Sequence, residues 1–143
     1  MQTIKDIMNK KVLHFDENVS IEKISKEFAK VDIGCIIITR NKKPIGIITE
    51  RDMLKRVLAK ELDIRKTKAK DIMTSPVDVL DQNTNIYYAS KIMREKGYKR
   101  YPVVKGGNVI GLITEDNLID YFTEQRKKFV LKNLSKNLRK KYL

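Results

Sequence analysis

The chain has 143 residues, 41% of them hydrophobic and 7% aromatic, enough for an aliphatic core of ordinary domain size. Lys and Arg outnumber Asp and Glu by 31 to 18, and the formal charge of +13 favours anionic partners such as phosphates, nucleic acid or an acidic protein. A single cysteine, Cys35, excludes an intrachain disulfide framework, and no stretch approaches the length of a signal peptide's apolar run or a membrane span, so a cytoplasmic protein is expected.

In chain order, a short helical turn is expected over Ile4 to Met8, then an extended piece from Lys11 to Phe15. Ser20 is placed to cap an amphipathic helix with Ile21, Ile24, Phe28 and Val31 on one face. Gly34 to Thr39 and Ile45 to Thr49 read as a hairpin across a polar turn, and a helix opens at Glu50. After a charged linker, Lys60 to Thr67, the same order returns. A turn spans Ala69 to Met73 and an extended piece Val77 to Leu80. A helix capped by Thr84 or Asn85 follows, ending at Gly97. Strands at Arg100 to Val104 and Val109 to Thr114 lead into a helix at Glu115. Asp6-Ile7-Met8 recurs as Asp71-Ile72-Met73, 65 residues later, and the same shift carries Ile45-Gly46-Ile47-Ile48-Thr49-Glu50 onto Ile110-Gly111-Leu112-Ile113-Thr114-Glu115 without a gap. The chain is therefore one β-α-β-β-α unit written twice, over 1–62 and 63–124, with a tail over 125–143.

The chemically informative segment is the exit from the last strand, Gly46-Ile47-Ile48-Thr49-Glu50-Arg51-Asp52. A glycine within a strand marks close approach of another group. A Thr hydroxyl beside the free amides of a helix start suits a phosphate, and a carboxylate one turn later suits a pair of ribose hydroxyls. Simple helix capping by Thr49 and Asp52 explains the same residues and, for one copy taken alone, is the plainer reading.

The repeat order, the Asp-Ile-Met openings and this exit motif resemble a tandem pair of CBS domains, a Bateman module, over about residues 4 to 124. The resemblance implies an α/β (α+β) fold of two repeats with pseudo-two-fold symmetry. It also implies a non-enzymatic sensor, with no required cofactor, that binds an adenosine-containing ligand (AMP, ADP, ATP or an S-adenosylmethionine type) between the repeats. Such a module acts through a homodimer or a regulated partner. Carried over by position, one cleft is expected to comprise Asp52, Thr49, Ile47, Gly34 and Cys35 against Thr74, Ser75, Pro76, Val77, Tyr98 and Lys99. The other is expected to comprise Asn117, Thr114, Leu112, Lys99 and Arg100 against Lys10, Lys11, Val12 and Ile33. Asn117 departs from the aspartate expected there, so the first cleft should grip a ribose better and the second a phosphate.

His14 is the only histidine, which leaves no material for a zinc site or a Cys/His nucleophile pair. From Gln125 to Leu143 there are eight basic residues (Arg126, Lys127, Lys128, Lys132, Lys136, Arg139, Lys140, Lys141) and no acidic one. Leu131, Leu134 and Leu138 recur there at helical spacing. Three readings follow: a helix docked on its own module or dimer mate, a nucleic-acid contact on a dimer platform, or attachment to an anionic membrane or an acidic partner.

Overall fold

The computed structural model describes residues 2–142. A 3-10 turn (Ile4–Asp6) precedes β1 (His14–Asp16), α1 (Ile21–Lys30), β2 (Cys35–Arg40), β3 (Lys43–Thr49) and α2 (Glu50–Asp52), which continues as a π-helical turn over Met53–Leu58. The second repeat supplies α3 (Ala69–Ile72), β4 (Leu80–Asp81), α4 (Ile86–Lys96), β5 (Arg100–Lys105), β6 (Asn108–Thr114) and α5 (Glu115–Asn133), and a final helix, α6, spans Lys136–Tyr142.

Each repeat builds a three-stranded sheet, ordered β1-β2-β3 and β4-β5-β6. The first pair in each is parallel across the intervening helix, and the second pair is an antiparallel hairpin. Both hairpins carry a register irregularity at equivalent places, Ile38/Thr39 and Val103/Val104. Their turns need two consecutive left-handed residues, which Gly106 and Gly107 (φ 58° and 84°) provide readily. The first repeat makes the same turn with Asn41 and Lys42 (φ 52° and 68°), at a steric cost that asparagine tolerates better than lysine.

The helix caps follow the local chemistry. Ser20 accepts from the Lys23 amide, Asn85 rather than Thr84 caps α4, and Gly97 ends that helix at φ 69°. Val31, expected on the apolar face of α1, instead ends the helix in extended backbone and is exposed. The linker is ordered against α1: the Ile21 and Glu22 amides donate to Thr67 and Ile64 carbonyls, and Arg65 Nε meets Glu22 Oε2 at 2.9 Å.

The packing unit differs from the repeat. Ala69 and Ile72 of the second opening turn are buried with Ile21, Ile24, Ile36, Ile38, Ile48 and Val57 of the first repeat. Reciprocally, Ile4 is buried with Leu80, Ile86, Ala89, Met93, Tyr101, Val103, Ile113 and Leu118 of the second. Each repeat thus lends its opening turn to the core of the other. A third cluster, Cys35, Ile37 and Leu112, joins the two sheets.

The exchange continues along the backbone. Ile47 and Thr74 trade two hydrogen bonds at 2.9 and 3.0 Å, and Asn9 and Leu112 trade two at 2.8 and 3.0 Å. These crossings explain the strand glycines. A Cβ on Gly46 would collide with the Met73 side chain and stand 3.0 Å from the Thr74 carbonyl. One on Gly111 would meet Met8 Sδ at 2.6 Å and the Asn9 carbonyl at 2.8 Å. The close approach at the exit glycine is made by the chain's own opening segment.

Candidate functional site

The crossings create two clefts, of about 430 and 510 Å³. The first is formed by the end of β3 and start of α2 (Ile47, Thr49, Arg51, Asp52), the loop Thr74 to Asp78, and the start of β5 (Gly97 to Arg100). The second is formed by the end of β6 and start of α5 (Leu112, Thr114, Glu115, Asp116), the loop Asn9 to Leu13, and the start of β2 (Asp32 to Cys35). The 65-residue shift relates these walls, and Lys99 and Arg100 line both clefts.

That symmetry relocates some expected residues. Gly34 and Cys35 line the second cleft and not the first, because each strand end faces the strand start of the other repeat. Lys10 is absent from the lining of the second cleft, as its equivalent Ser75 is from that of the first. Ser75 instead donates its hydroxyl to the Ile45 carbonyl at 2.9 Å. Asp52, Thr49, Ile47, Thr74, Pro76, Val77, Tyr98 and Lys99 come together in the first cleft, and Thr114, Leu112, Lys99, Arg100, Lys11, Val12 and Ile33 in the second. Asn117 sits behind that rim, donating its amide to Asn9 Oδ1 at 3.2 Å. The sequence reading missed Arg51, Asp78, Gly97 and Arg100 in one cleft, and Asn9, Leu13, Asp32, Glu115 and Asp116 in the other. Adding 65 to each residue number of one wall, and taking every neighbour in the matching loop, would have found most of them.

At the first rim, Thr49 and Asp52 form a reciprocal capping box. The Thr49 amide donates to Asp52 Oδ2 at 2.9 Å, and the Asp52 amide donates to Thr49 Oγ1 at 3.2 Å. Asp52 Oδ1 faces Arg56 Nε at 3.6 Å, beyond hydrogen-bond length, so it keeps accepting capacity toward the cleft. The Thr49 hydroxyl accepts but donates to no protein group among the described residues. At the second rim the Thr114 hydroxyl gives its proton to Asn117 Oδ1 at 2.9 Å. The Thr49–Asp52 pair therefore offers a free hydroxyl proton and a charged acceptor where the Thr114–Asn117 pair offers neither.

The electrostatics also differ. Arg51, Lys99 and Arg100 outnumber Asp52 and Asp78 in the first cleft, whereas Lys11, Lys99 and Arg100 are matched by Asp32, Glu115 and Asp116 in the second. An anion is favoured in the first, against the expectation that the second would grip a phosphate better, because Lys99 and Arg100 line both clefts and the second also holds three carboxylates. The Arg100 guanidinium lies over Gly34, where a Cβ would stand 2.6 Å from Nη2. Burial raises the pKa of the neighbouring Cys35 thiol, with the Arg100 cation opposing, so the thiol stays protonated at neutral pH. Among the described residues, no three His, Cys, Asp or Glu side chains gather to hold a metal ion, and no helix is long and apolar enough to cross a membrane.

Comparison with known proteins places this architecture. The CBS-domain family model matches residues 4–59 and 69–124. An uncharacterized protein of Methanopyrus kandleri is 29% identical over 136 residues, covering 89% of this chain and 69% of that protein. The solved CBS domain pair of protein MJ0100, in complex with 5′-methylthioadenosine and S-adenosyl-L-methionine, superposes with a TM-score of 0.74 at 26% identity, over 87% of this chain and 98% of that one. Hypoxic response protein I, solved with two coordinated zinc ions, gives a TM-score of 0.74 at 26% identity, over 85% and 99% of the two chains. With both repeats matched and the fold shared, the chain belongs to the CBS-domain family as a tandem CBS pair.

Proposed function

We propose that this CBS pair is a non-catalytic sensor of an adenosine-containing molecule, which it holds in the first cleft. The observation that carries the reading is the rim at Thr49 and Asp52, a free hydroxyl donor beside a carboxylate with a spare oxygen, opening onto a cleft of about 430 Å³. That volume falls within the range of roughly 300–1,000 Å³ typical of small-molecule sites. In this arrangement Asp52 accepts from the ribose hydroxyls, while Ile47, Val77 and the exposed Tyr98 ring flank the adenine. Arg51, Lys99 and Arg100 meet the anionic end. The solved relative with 5′-methylthioadenosine and S-adenosyl-L-methionine supports this ligand class. Titration calorimetry with AMP, ATP and S-adenosylmethionine tests it: saturable binding of at least one is expected, and folded, ligand-free protein that binds none of them sinks the reading.

The output runs through a second copy of the chain. Leu54 and Leu58 on the π-helical turn are 58% and 69% exposed, and with Leu62 and Ile64 they line an apolar groove of about 480 Å³. Aliphatic side chains so grouped mark an interaction surface. Light scattering should give the mass of a dimer, and Leu54→Glu with Leu58→Glu should return it to a monomer; a wild-type chain that is monomeric at micromolar concentration ends this reading.

A further inference from the structure

The family match ends at residue 124, yet α5 runs on unbroken to Asn133 and α6 follows over Lys136–Tyr142. All eight basic residues of this extension are exposed, and none of them forms an ion pair among the described residues. The helix dipole accounts for Lys132 in the last turn of α5 and for Arg139, Lys140 and Lys141 in the last turn of α6, but not for Arg126, Lys127 and Lys128 further up α5 or for Lys136 at the start of α6. Arg139 has a structural task. Its guanidinium donates to the Leu134 and Lys132 carbonyls at 3.0 and 3.1 Å, closing the elbow between the two helices. The other seven are left to face solvent.

Among the described side chains of this cationic surface stands one large aromatic ring. Phe129 is 62% exposed, with Arg126 and Lys132 three residues to either side and therefore on the same side of the helix. An exposed ring flanked by unpaired cations is the arrangement that stacks an unpaired base while the phosphates on either side are neutralised. A membrane surface fits less well. Val130, Leu131 and Leu134 are partly buried, which leaves Phe129 and Leu138 as the well-exposed apolar side chains among the described residues of the extension. Lys127 and Lys128 follow each other at about 100° per residue around α5, so no broad apolar face remains to enter a bilayer.

We infer that the α5–α6 elbow binds single-stranded nucleic acid, independently of sequence, through its seven solvent-facing cations and base stacking on Phe129. This surface is separate from the clefts and does not depend on what they bind.

The test is fluorescence anisotropy of the full chain with a labelled oligo-dT of about 20 nucleotides, its duplex counterpart and anionic phospholipid vesicles, over a salt series. The variant Lys127→Gln/Lys128→Gln/Lys132→Gln/Lys136→Gln leaves the Arg139 elbow intact. It should bind oligo-dT at least tenfold more weakly, and its log–log salt slope should be shallower by up to about three, at ~0.7 per lost phosphate contact on a single strand. Arginine at the same four positions should restore binding, which separates charge from folding. Phe129→Ala should weaken oligo-dT binding by about tenfold while leaving the salt slope unchanged. The proposal is overturned if the glutamine variant binds oligo-dT as tightly as the wild type. Preference for duplex together with no effect of Phe129→Ala also overturns it. So does retention on vesicles at salt concentrations that release the oligonucleotide, an outcome that would assign the elbow to membranes.

Discussion

At the scale of single residues, Asp52 carries two roles that its position alone does not separate. Its Oδ2 completes a capping box with the Thr49 amide, and its Oδ1 keeps accepting capacity at the cleft. The second repeat makes the same box with a neutral residue, since Asn117 Oδ1 accepts from the Thr114 amide at 2.9 Å. Capping therefore requires an oxygen at this position and does not require the charge. Asp52→Asn should preserve the cap and change stability by no more than about 1 kcal/mol, the scale of a first-turn charge on the helix dipole. Hydrogen bonds to an ionised acceptor are roughly twice as strong as neutral ones, so the same change should weaken adenosine-ligand binding by about tenfold. Calorimetric titration of Asp52→Asn beside a urea melt reads both numbers. Unchanged affinity would reduce Asp52 to a helix cap, whatever else the cleft binds.

At the scale of elements, the fold depends on the crossing of opening turns between repeats. The tightest points of that crossing are Gly46 under Met73 and Thr74, and Gly111 under Met8 and Asn9. Met73 is flexible and can yield, but the Thr74 carbonyl is tied to Ile47 by the paired backbone bonds. Overpacking of this kind costs about 1–3 kcal/mol. Gly46→Ala should therefore lower the urea midpoint by the equivalent of about 2 kcal/mol, and Gly111→Ala, whose Cβ faces a carbonyl at 2.8 Å, should do at least as much. A midpoint unmoved by both would mean that the opening segments are not held in this crossing. The elements themselves were legible in the sequence because their signals are local. Ser20, Asn85 and Gly97 act on their own helices, and the hairpins follow from β-rich runs around a polar turn. The exchange was not legible, since periodicity within a segment does not say whose core its apolar face will meet. Gly34 and Cys35 were assigned to the wrong wall for the same reason: which strand start faces which strand end is decided by packing between repeats. The break between α5 and α6 was likewise hidden, because the leucine spacing continues across it.

At the scale of the whole molecule, the two clefts are joined by residues that have no charged counterpart in the first repeat. Lys99 and Arg100 stand where that repeat has Gly34 and Cys35, so one pair of cations serves both clefts. Arg100 lies over Gly34, on the second-cleft side, while remaining part of the first-cleft lining. A guanidinium engaged by a phosphate in one cleft is withdrawn from the other, and withdrawal leaves the second cleft with Lys11 and Lys99 against Asp32, Glu115 and Asp116. Anionic ligands should therefore bind anticooperatively, with a coupling in the usual range of about 1–3 kcal/mol, or roughly 5- to 150-fold between the two affinities. Neutral adenosine, which does not call on Arg100, should show only the gap that the unequal Thr49–Asp52 and Thr114–Asn117 rims impose. Two-site calorimetry with ATP and with adenosine, on the wild type and on Arg100→Gln, separates these cases. The variant should lose tight ATP binding and narrow the gap between the two ATP affinities to that seen with adenosine, while leaving adenosine binding unchanged. An ATP gap that stays wider than the adenosine gap in Arg100→Gln would mean that the clefts communicate through the shared Cys35, Ile37 and Leu112 core or not at all. A gap that narrows to that of adenosine would make Arg100 the residue through which one occupied cleft is felt at the other.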